Sequence, residues 1–250
     1  MKIKNFVTTI IVLLTSCAMF AQTFSSKLDA MRNLVFNDIT STEEQVLNCY
    51  QESYTFASTE VEKAHLDYLT GIYYQAKNNK ATAGKYFTMA MEKTNAVIKS
   101  APTAYAYEIY SKALSQNCTV QSTGYMLSNA TKVPGVSKKA IKLDSTNAGA
   151  THILASFSIY APAPFCNWNK GQKMLLNALN TAKFSKEDYF NYYCSLGYVE
   201  IKKKNFSAAD QWMAKAAAIY PNNKALKQQM SYSIKNYGED IDTSKVDYKE

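Results

Sequence analysis

Apolar residues along most of the chain recur at the three- and four-residue spacing that places them on one face of a helix. Alternating strand runs joined by Asn-Gly or Asp-Gly turns are not found, which weighs against an all-β fold. Helix signals agree with the spacing, since Ser185 and Asp188 form an N-cap with an acidic first turn and Pro221 follows another apolar run. The pattern predicts a helix-rich body.

The most regular stretch begins at Phe190 and contains GYVEIKKKNFSAADQWMAKAAAIYP, residues 197–221. Its small and apolar residues fit a 34-residue frame, and a second copy of the same frame begins near Ala64. This pattern resembles the tetratricopeptide repeat. The residues that carry the resemblance are Tyr193, Leu196, Gly197, Ala209, Met213, Ala216 and Pro221 in the last copy, and Gly71, Tyr74, Ala83, Phe87 and Ala90 in the first.

The resemblance covers roughly residues 60–230 and is degenerate between the two clear copies. It implies an all-α solenoid of stacked antiparallel helix pairs, because one pair cannot bury its apolar face alone. Small residues such as Gly71 and Gly197 would let helix axes approach closely, and Phe87 and Met213 would fill the space between them. We therefore expect helix pairs stacked in chain order.

Four segments are predicted: an export signal at 1–21, N-terminal capping helices at 22–59, the repeat domain at 60–237 and a polar tail at 238–250. The second capping helix is expected to begin at a capping box of Ser41 and Glu44.

The first segment, MKIKNFVTTIIVLLTSCAMFAQ, has Lys2 and Lys4, then a short apolar run, then small residues. This order is typical of an export signal, and it predicts a periplasmic or secreted protein. Two routes stay open. Cleavage after Ala18 or Ala21 would release a soluble chain, whereas Leu14–Cys17 also resembles a lipoprotein box in which Cys17 is lipidated. Membrane attachment is expected only through such an anchor.

The chain carries 28 basic and 20 acidic residues, for a formal net charge of +8. The lysines are scattered apart from 202–204, and an exported protein rarely meets nucleic acid, so no nucleic-acid partner is expected.

Candidate chemistry is sparse. His65 and His152 are far apart in sequence, no nucleophile–base or phosphate-loop motif occurs, and no Cys-x-x-Cys pair suggests zinc. We expect no enzyme activity, no metal and no cofactor. Cys118 and Cys166 are both expected in turns on one edge of the solenoid, which makes them the candidate disulfide.

In the tetratricopeptide family the first helix of each pair lines a concave face, and the resemblance implies that a protein or peptide partner in the cell envelope binds there. The alternative is a small-ligand or glycan-binding accessory protein of an uptake system, which the tyrosines and the aromatic loop around Phe165 favour. The sequence indicates neither the partner's identity nor the oligomeric state. The implied groove residues are His65, Tyr68, Gln75, Tyr105, Glu108, Lys112, His152, Ser156, Asn191, Tyr198 and Lys202.

The export signal leads to a direct test. We expect the mature chain from the native host to lack Met1 to at least Ser16. Intact-mass spectrometry measures this, and a diacylglycerol increment on Cys17 would select the lipoprotein route. A full-length mass would contradict export.

Overall fold

A computed structural model describes residues 23–236, and within that range the regular structure is helical. The predicted export signal, Cys17 and the polar tail lie outside the described residues. A short 3-10 helix, Ala130–Lys132, joins the sixth and seventh α-helices. The helices are α1 (Phe24–Phe36), α2 (Glu43–Phe56), α3 (Glu60–Ala76), α4 (Lys80–Ser100), α5 (Ala104–Val120), α6 (Thr123–Asn129), α7 (Val133–Leu143), α8 (Ala148–Tyr160), α9 (Trp168–Ala178), α10 (Lys186–Lys202), α11 (Phe206–Ala217) and α12 (Lys224–Asn236).

Most of these helices begin at a side chain that caps their free N–H groups. The Ser185 hydroxyl accepts from the Asp188 backbone N–H, and the Ser185 backbone N–H donates to the Asp188 carboxylate. This capping box confirms the predicted start of α10. The predicted box at Ser41 and Glu44 is wrong by one residue. Thr42 and Gln45 form it instead, and the Ser41 hydroxyl donates to the Asn37 carbonyl.

The helices pair in chain order as α3–α4, α5–α7, α8–α9 and α10–α11, and neighbouring pairs stack. This is the all-α solenoid of helix pairs that the repeat pattern implied, with α12 as the expected closing helix. The short helix α6 and the 3-10 turn lengthen the connection between α5 and α7. The degenerate sequence did not indicate this insertion.

The first and last pairs share one turn geometry at equivalent positions of the repeat frame. Asn78 and Lys204, which are 15th in their respective frames, both adopt the left-handed conformation with φ of 60°. The next residue donates back to the helix in each case, from Asn79 to the Tyr74 carbonyl and from Asn205 to the Glu200 carbonyl, both at 2.8 Å. The two copies are therefore structurally equivalent.

Glycine permits the close helix approach within both of these pairs. A β-carbon built on Gly71 would lie 2.5 Å from the ring of Phe87, which is fully buried. On Gly197 it would lie 2.9 Å from Cγ of Met213. The contact between these frame positions is thus so close that any side chain in place of the glycine would require a neighbour to move.

The N-terminal helices pack on the first repeat as expected, but α1 also reaches the last one. The ring of Phe36 contacts those of Phe190 and Tyr220, with centroids 5.5 and 5.1 Å away. Backbone amides of Asn222 and Lys224 donate to the side chains of Asn37 and Asp38 at 3.0 and 2.9 Å. We call this contact between residues 36–39 and 220–224 the latch. It joins the two ends of the solenoid.

The four cysteines of the described range are free thiols, so the predicted pairing of Cys118 with Cys166 is not made. Cys118 lies inside helix α5, not in a turn, and packs against Val133 and Ile153. Cys166 does lie in a connection, where its thiol is 3.6 Å from the Ile159 carbonyl. Separately, none of the helices between residues 23 and 236 is both long and apolar enough to span a membrane.

The close approach at Gly71 can be tested by substitution. We expect Gly71→Leu to lower the free energy of unfolding by about 3 kcal/mol, because the new side chain must displace the enclosed Phe87 ring. Urea denaturation measures the change.

Gly135→Leu is the matched control, since Gly135 lies in helix α7 with nothing within 4 Å of its built β-carbon. This control is expected to leave stability unchanged or to raise it by up to about 1 kcal/mol through helix propensity. Equal effects at both glycines would show that the frame is assigned wrongly.

Candidate functional site

The predicted groove residues separate into a buried group and a half-buried group. His65, Tyr68 and Lys112 are only 2%, 4% and 2% exposed, so they do not form the open surface that the repeat register implied. The second group, His152, Ser156, Asn191, Tyr198 and Lys202, lies on α8 and α10 and keeps partial access to solvent. The remaining three are also half-buried but lie on other helices: Gln75 on α3, where its amide donates to the Thr119 hydroxyl at 2.8 Å, and Tyr105 and Glu108 on α5.

The buried group surrounds Glu187, the second residue of α10, whose side chain is fully enclosed. Arg32 Nε donates to its Oε2 and Lys112 Nζ to its Oε1, both at 3.0 Å. His65 Nε2 lies 3.4 Å from Oε2. One carboxylate therefore joins α1, α3 and α5 to the last repeat.

Lys112 connects further carboxylates to this centre. Its Nζ lies 2.9 Å from Glu108 Oε1 and 3.7 Å from Asp188 Oδ1, and Asn147 donates to the other oxygen of Glu108 at 2.9 Å. We call Arg32, His65, Glu108, Lys112, Glu187 and Asp188 the charge cluster. The charge cluster lies in the interior, where an open groove was expected. Its members pair with opposite charges because an unpaired buried charge is costly.

The charge cluster shifts the pKa values of Lys112 and Glu187 in the directions that keep both groups ionised. Burial alone would lower the pKa of Lys112, but the nearby carboxylates hold it well above its usual value. Burial alone would raise the pKa of Glu187, and Lys112, His65 and Arg32 together hold it well below. Both groups therefore stay charged at neutral pH.

His65 is the neutral member of the cluster. Its burial lowers its pKa, and its Nδ1 lies 2.7 Å from the Tyr105 hydroxyl. The other ring nitrogen, Nε2, faces Glu187 Oε2 at 3.4 Å. The Tyr105 hydroxyl is thus hydrogen-bonded to the His65 imidazole.

The half-buried group centres on Ser195 of α10. Its hydroxyl lies 3.0 Å from His152 Nε2 and accepts from the Tyr160 hydroxyl at 3.0 Å. Burial lowers the pKa of His152 to about 4, so this imidazole is neutral at pH 7. Ser195 is only 2% exposed. The Ser156 hydroxyl also contacts His152 Nε2, at 3.2 Å. The arrangement orders α8 against α10 and leaves the hydroxyl enclosed.

Aromatic side chains cover this network on its solvent side. The rings of Tyr160 and Tyr198 lie 4.8 Å apart, and those of Phe157 and Phe165 lie 6.0 Å apart. Tyr160 and Phe165 are 49% and 53% exposed, and Lys202 Nζ lies 5.5 Å from the Tyr198 ring. We call Phe157, Tyr160, Phe165 and Tyr198 the aromatic wall. Of these four, only Tyr198 is a predicted groove residue, and Phe165 belongs to the aromatic loop.

Sequence reasoning missed Arg32, Glu187 and Tyr160. Arg32 carried a usable signal, because it lies one turn from Leu28 and Phe36 on the apolar face of α1, where a charge needs a partner. Glu187 looked like an ordinary first-turn acid. Tyr160 lies at the end of α8, next to the aromatic loop that drew attention to Phe165.

Two further features lie away from this face. A cleft of about 510 Å³ between α4 and the end of α5 is lined by Lys80, Lys85, Met89 and Gln121, none of them a predicted site residue. Among residues 23–236, no group of three or more His, Cys, Asp or Glu side chains could hold a metal ion.

Comparison with known proteins agrees with the architecture. No family model matches the sequence, and the search of curated proteins finds no relative. Among solved structures, the chain is similar to a thermophilic TPR protein from Thermus thermophilus, with a TM-score of 0.51 and 15% sequence identity. The match covers 76% of this chain and 90% of that one. The fold is therefore that of a tetratricopeptide-like solenoid, and at this identity the likeness concerns the fold alone.

The charge cluster predicts a strong and specific effect on stability. We expect Lys112→Met to lower the free energy of unfolding by about 3–5 kcal/mol, because it removes the cation beside the buried carboxylates of Glu187 and Asp188 and the half-buried one of Glu108. Chemical denaturation at pH 7 measures this loss.

Lys63→Met serves as the control, because Lys63 makes its ion pair with Glu60 on the surface, at 2.7 Å. Its stability should stay close to that of the original chain. Similar small losses in both variants would contradict a structural role for the cluster.

Proposed function

We propose that this chain is a non-catalytic scaffold of the cell envelope that binds a protein or peptide partner through its aromatic wall. The observation that carries the proposal is the pair of Tyr160 and Tyr198, an exposed and a half-buried ring 4.8 Å apart on the open part of the face that repeat solenoids use. The envelope location rests on the export signal pattern of residues 1–21.

The wall has the properties of a peptide-binding surface. Tyrosines present a large apolar area with a polar end, and Lys202 Nζ lies 5.5 Å from the Tyr198 ring. The aromatic loop is held beside α8 by the Asn167 amide, which donates to the Ser158 carbonyl at 2.7 Å. A partner segment would therefore meet a surface that is already ordered, which reduces the entropy cost of binding.

The proposed mode is stacking on the aromatic wall together with side-chain hydrogen bonds. Tyr68, Tyr105 and Lys112 take no part in contact with the partner in this proposal. Tyr105 bonds to His65, Lys112 to Glu187, and the Tyr68 ring lies 5.9 Å from Lys112 Nζ. The partner segment is extended or helical, the two forms that present side chains at regular spacing.

We expect the double variant Tyr160→Ala with Tyr198→Ala to reduce partner capture from envelope extract by roughly tenfold, through the loss of two aromatic contacts. Quantitative pull-down with mass spectrometry measures each captured protein. Circular dichroism establishes that the variant is folded.

Tyr107→Ala is the matched control, because Tyr107 is a half-buried tyrosine with Lys139 Nζ 5.7 Å from its ring centroid, on a different part of the chain. It should capture the same proteins as the original chain. A folded double variant that retains every partner would overturn the proposal.

A further inference from the structure

The cleft of about 510 Å³ between α4 and the end of α5 lies outside the predicted groove. Its α4 side begins at Lys80 and ends at Met89, a span of three helical turns or roughly 14 Å. Val120 and Gln121, at the end of α5, form the opposite side. The cleft is elongated and open, a shape that suits a segment of polypeptide.

Gly84 gives the cleft its depth, and Gln121 is fixed across from it. A β-carbon built on Gly84 would lie 2.7 Å from Gln121 Nε2. This amide donates to Asn117 Oδ1 at 3.1 Å, and the Asn117 amide donates to the Tyr125 hydroxyl at 3.1 Å. Asn117 is only 1% exposed. The floor of the cleft is therefore ordered before an occupant binds, which lowers the entropy cost of binding.

The surface around the cleft carries positive charge. Lys80 and Lys85 line it, and the described residues of its lining include no carboxylate. The sequence has no Asp or Glu at 68–91 or at 109–143, and the cleft lies where these two segments meet. Met89, which is 37% exposed, adds an apolar side chain. The cleft therefore favours an occupant that combines carboxylates with apolar side chains.

The polar tail, GEDIDTSKVDYKE at 238–250, has this composition. It contains five of the 20 acidic residues of the chain and two lysines, hence a net charge of −3, whereas the whole chain has a net charge of +8. Ile241, Val246 and Tyr248 lie among its acidic residues. The tail thus complements the cleft in both charge and apolar content.

We propose that the polar tail binds in the cleft of its own molecule, with carboxylates near Lys80 and Lys85 and an apolar side chain against Met89 and Val120. An open cleft with two cations binds a free peptide weakly. Attachment to the same chain raises the effective concentration of the tail to about the millimolar range, which favours the tail over a free acidic partner.

The tail is long enough to reach the cleft. The backbone of Lys224, where α12 begins, donates to Asp38 Oδ1 at 2.9 Å. Lys77 Nζ donates to the Asp38 carbonyl at 2.6 Å, and Lys77 is three residues before Lys80. The start of α12 and the start of the cleft are therefore both close to Asp38. Residues 237–250 extend to about 46 Å, and returning along α12 uses about 20 Å of this length.

This inference does not rest on the proposed function, because the cleft and the aromatic wall share no residue. The two are separable by experiment, since the double variant of Tyr160 and Tyr198 should retain tail binding in full.

Carbodiimide cross-linking of the whole export-processed chain tests the contact, because this reagent forms an amide between a lysine and a carboxylate that lie together. We expect mass spectrometry to find tail carboxylates joined to Lys80 or Lys85 roughly threefold more often than to Lys138. Lys138 is the matched lysine, since it is exposed on α7 and also lies within a segment without acidic residues.

Two substitutions should close the cleft in different ways. Gly84→Leu fills it, either directly or by displacing the Gln121 amide, and removes no charge. Met89→Glu places a negative charge in it at an exposed position. Each should lower the tail cross-links to the cleft lysines by roughly threefold.

Each substitution has a matched control. Gly135→Leu adds the same side chain at a glycine with open space around it, and Leu176→Glu adds the same charge at a side chain that is 39% exposed. Neither should change the tail cross-links. Circular dichroism establishes that all four variants are folded, and the exposed position of Met89 keeps the test available if Gly84→Leu does not fold.

Three results would overturn the proposal. Equal cross-linking of the tail to Lys138 and to the cleft lysines would indicate attraction to net charge. Cross-links confined to Lys227 and Lys235 would place the tail on α12 instead. Unchanged cross-links in folded Met89→Glu would show that the cleft is not occupied.

A mixture of isotope-labelled and unlabelled chains separates binding within one molecule from binding between two. We expect tail-to-cleft cross-links to join peptides of the same label. Cross-links that join labelled to unlabelled peptides in their place would assign the cleft to the tail of a second copy and would also overturn the proposal.

Discussion

The buried carboxylate of Glu187 is the interaction on which the interior depends. Its partners Arg32, His65 and Lys112 come from α1, α3 and α5, so one side chain of the last repeat holds three earlier helices. A buried charge is costly unless it is fully compensated, and the cost of losing any partner is correspondingly high. Because of this requirement, α1 packs against the last repeat through Arg32. His65 and Lys112, which were expected to line the groove, have a structural role instead.

The consequence for binding is a division of the inner face. Where the charge cluster lies, ion pairs join enclosed side chains such as Lys112 and Glu187, which offer no surface to a partner. Toward α8 and the second half of α10, the network around Ser195 supports rings that remain exposed. The same face is thus closed by paired charges at one end and keeps exposed aromatic rings at the other.

The repeat architecture could be predicted from sequence because it follows from local spacing. Gly71 with Phe87 and Gly197 with Met213 are 16 residues apart, and their contacts recur at the same frame positions. The partnership of Arg32 with Glu187 spans 155 residues, and no periodicity encodes it. The capping box of α2 shifted by one residue because Ser41 and Thr42 both have suitable side chains. Cys118 was expected in a turn, but α5 continues to Val120 and includes it.

In an open repeat array each unit contacts only its neighbours, so the end units unfold most readily and units can be gained or lost without affecting the others. The latch changes this rule, since residues 36–39 and 220–224 join the two ends. Separating the end of α1 from the last repeat would break contacts of both, so we expect these two ends to unfold together and the amides of the latch to exchange slowly. Repeat number is fixed by the same contact: an added or deleted helix pair would carry one half of the latch away from the other.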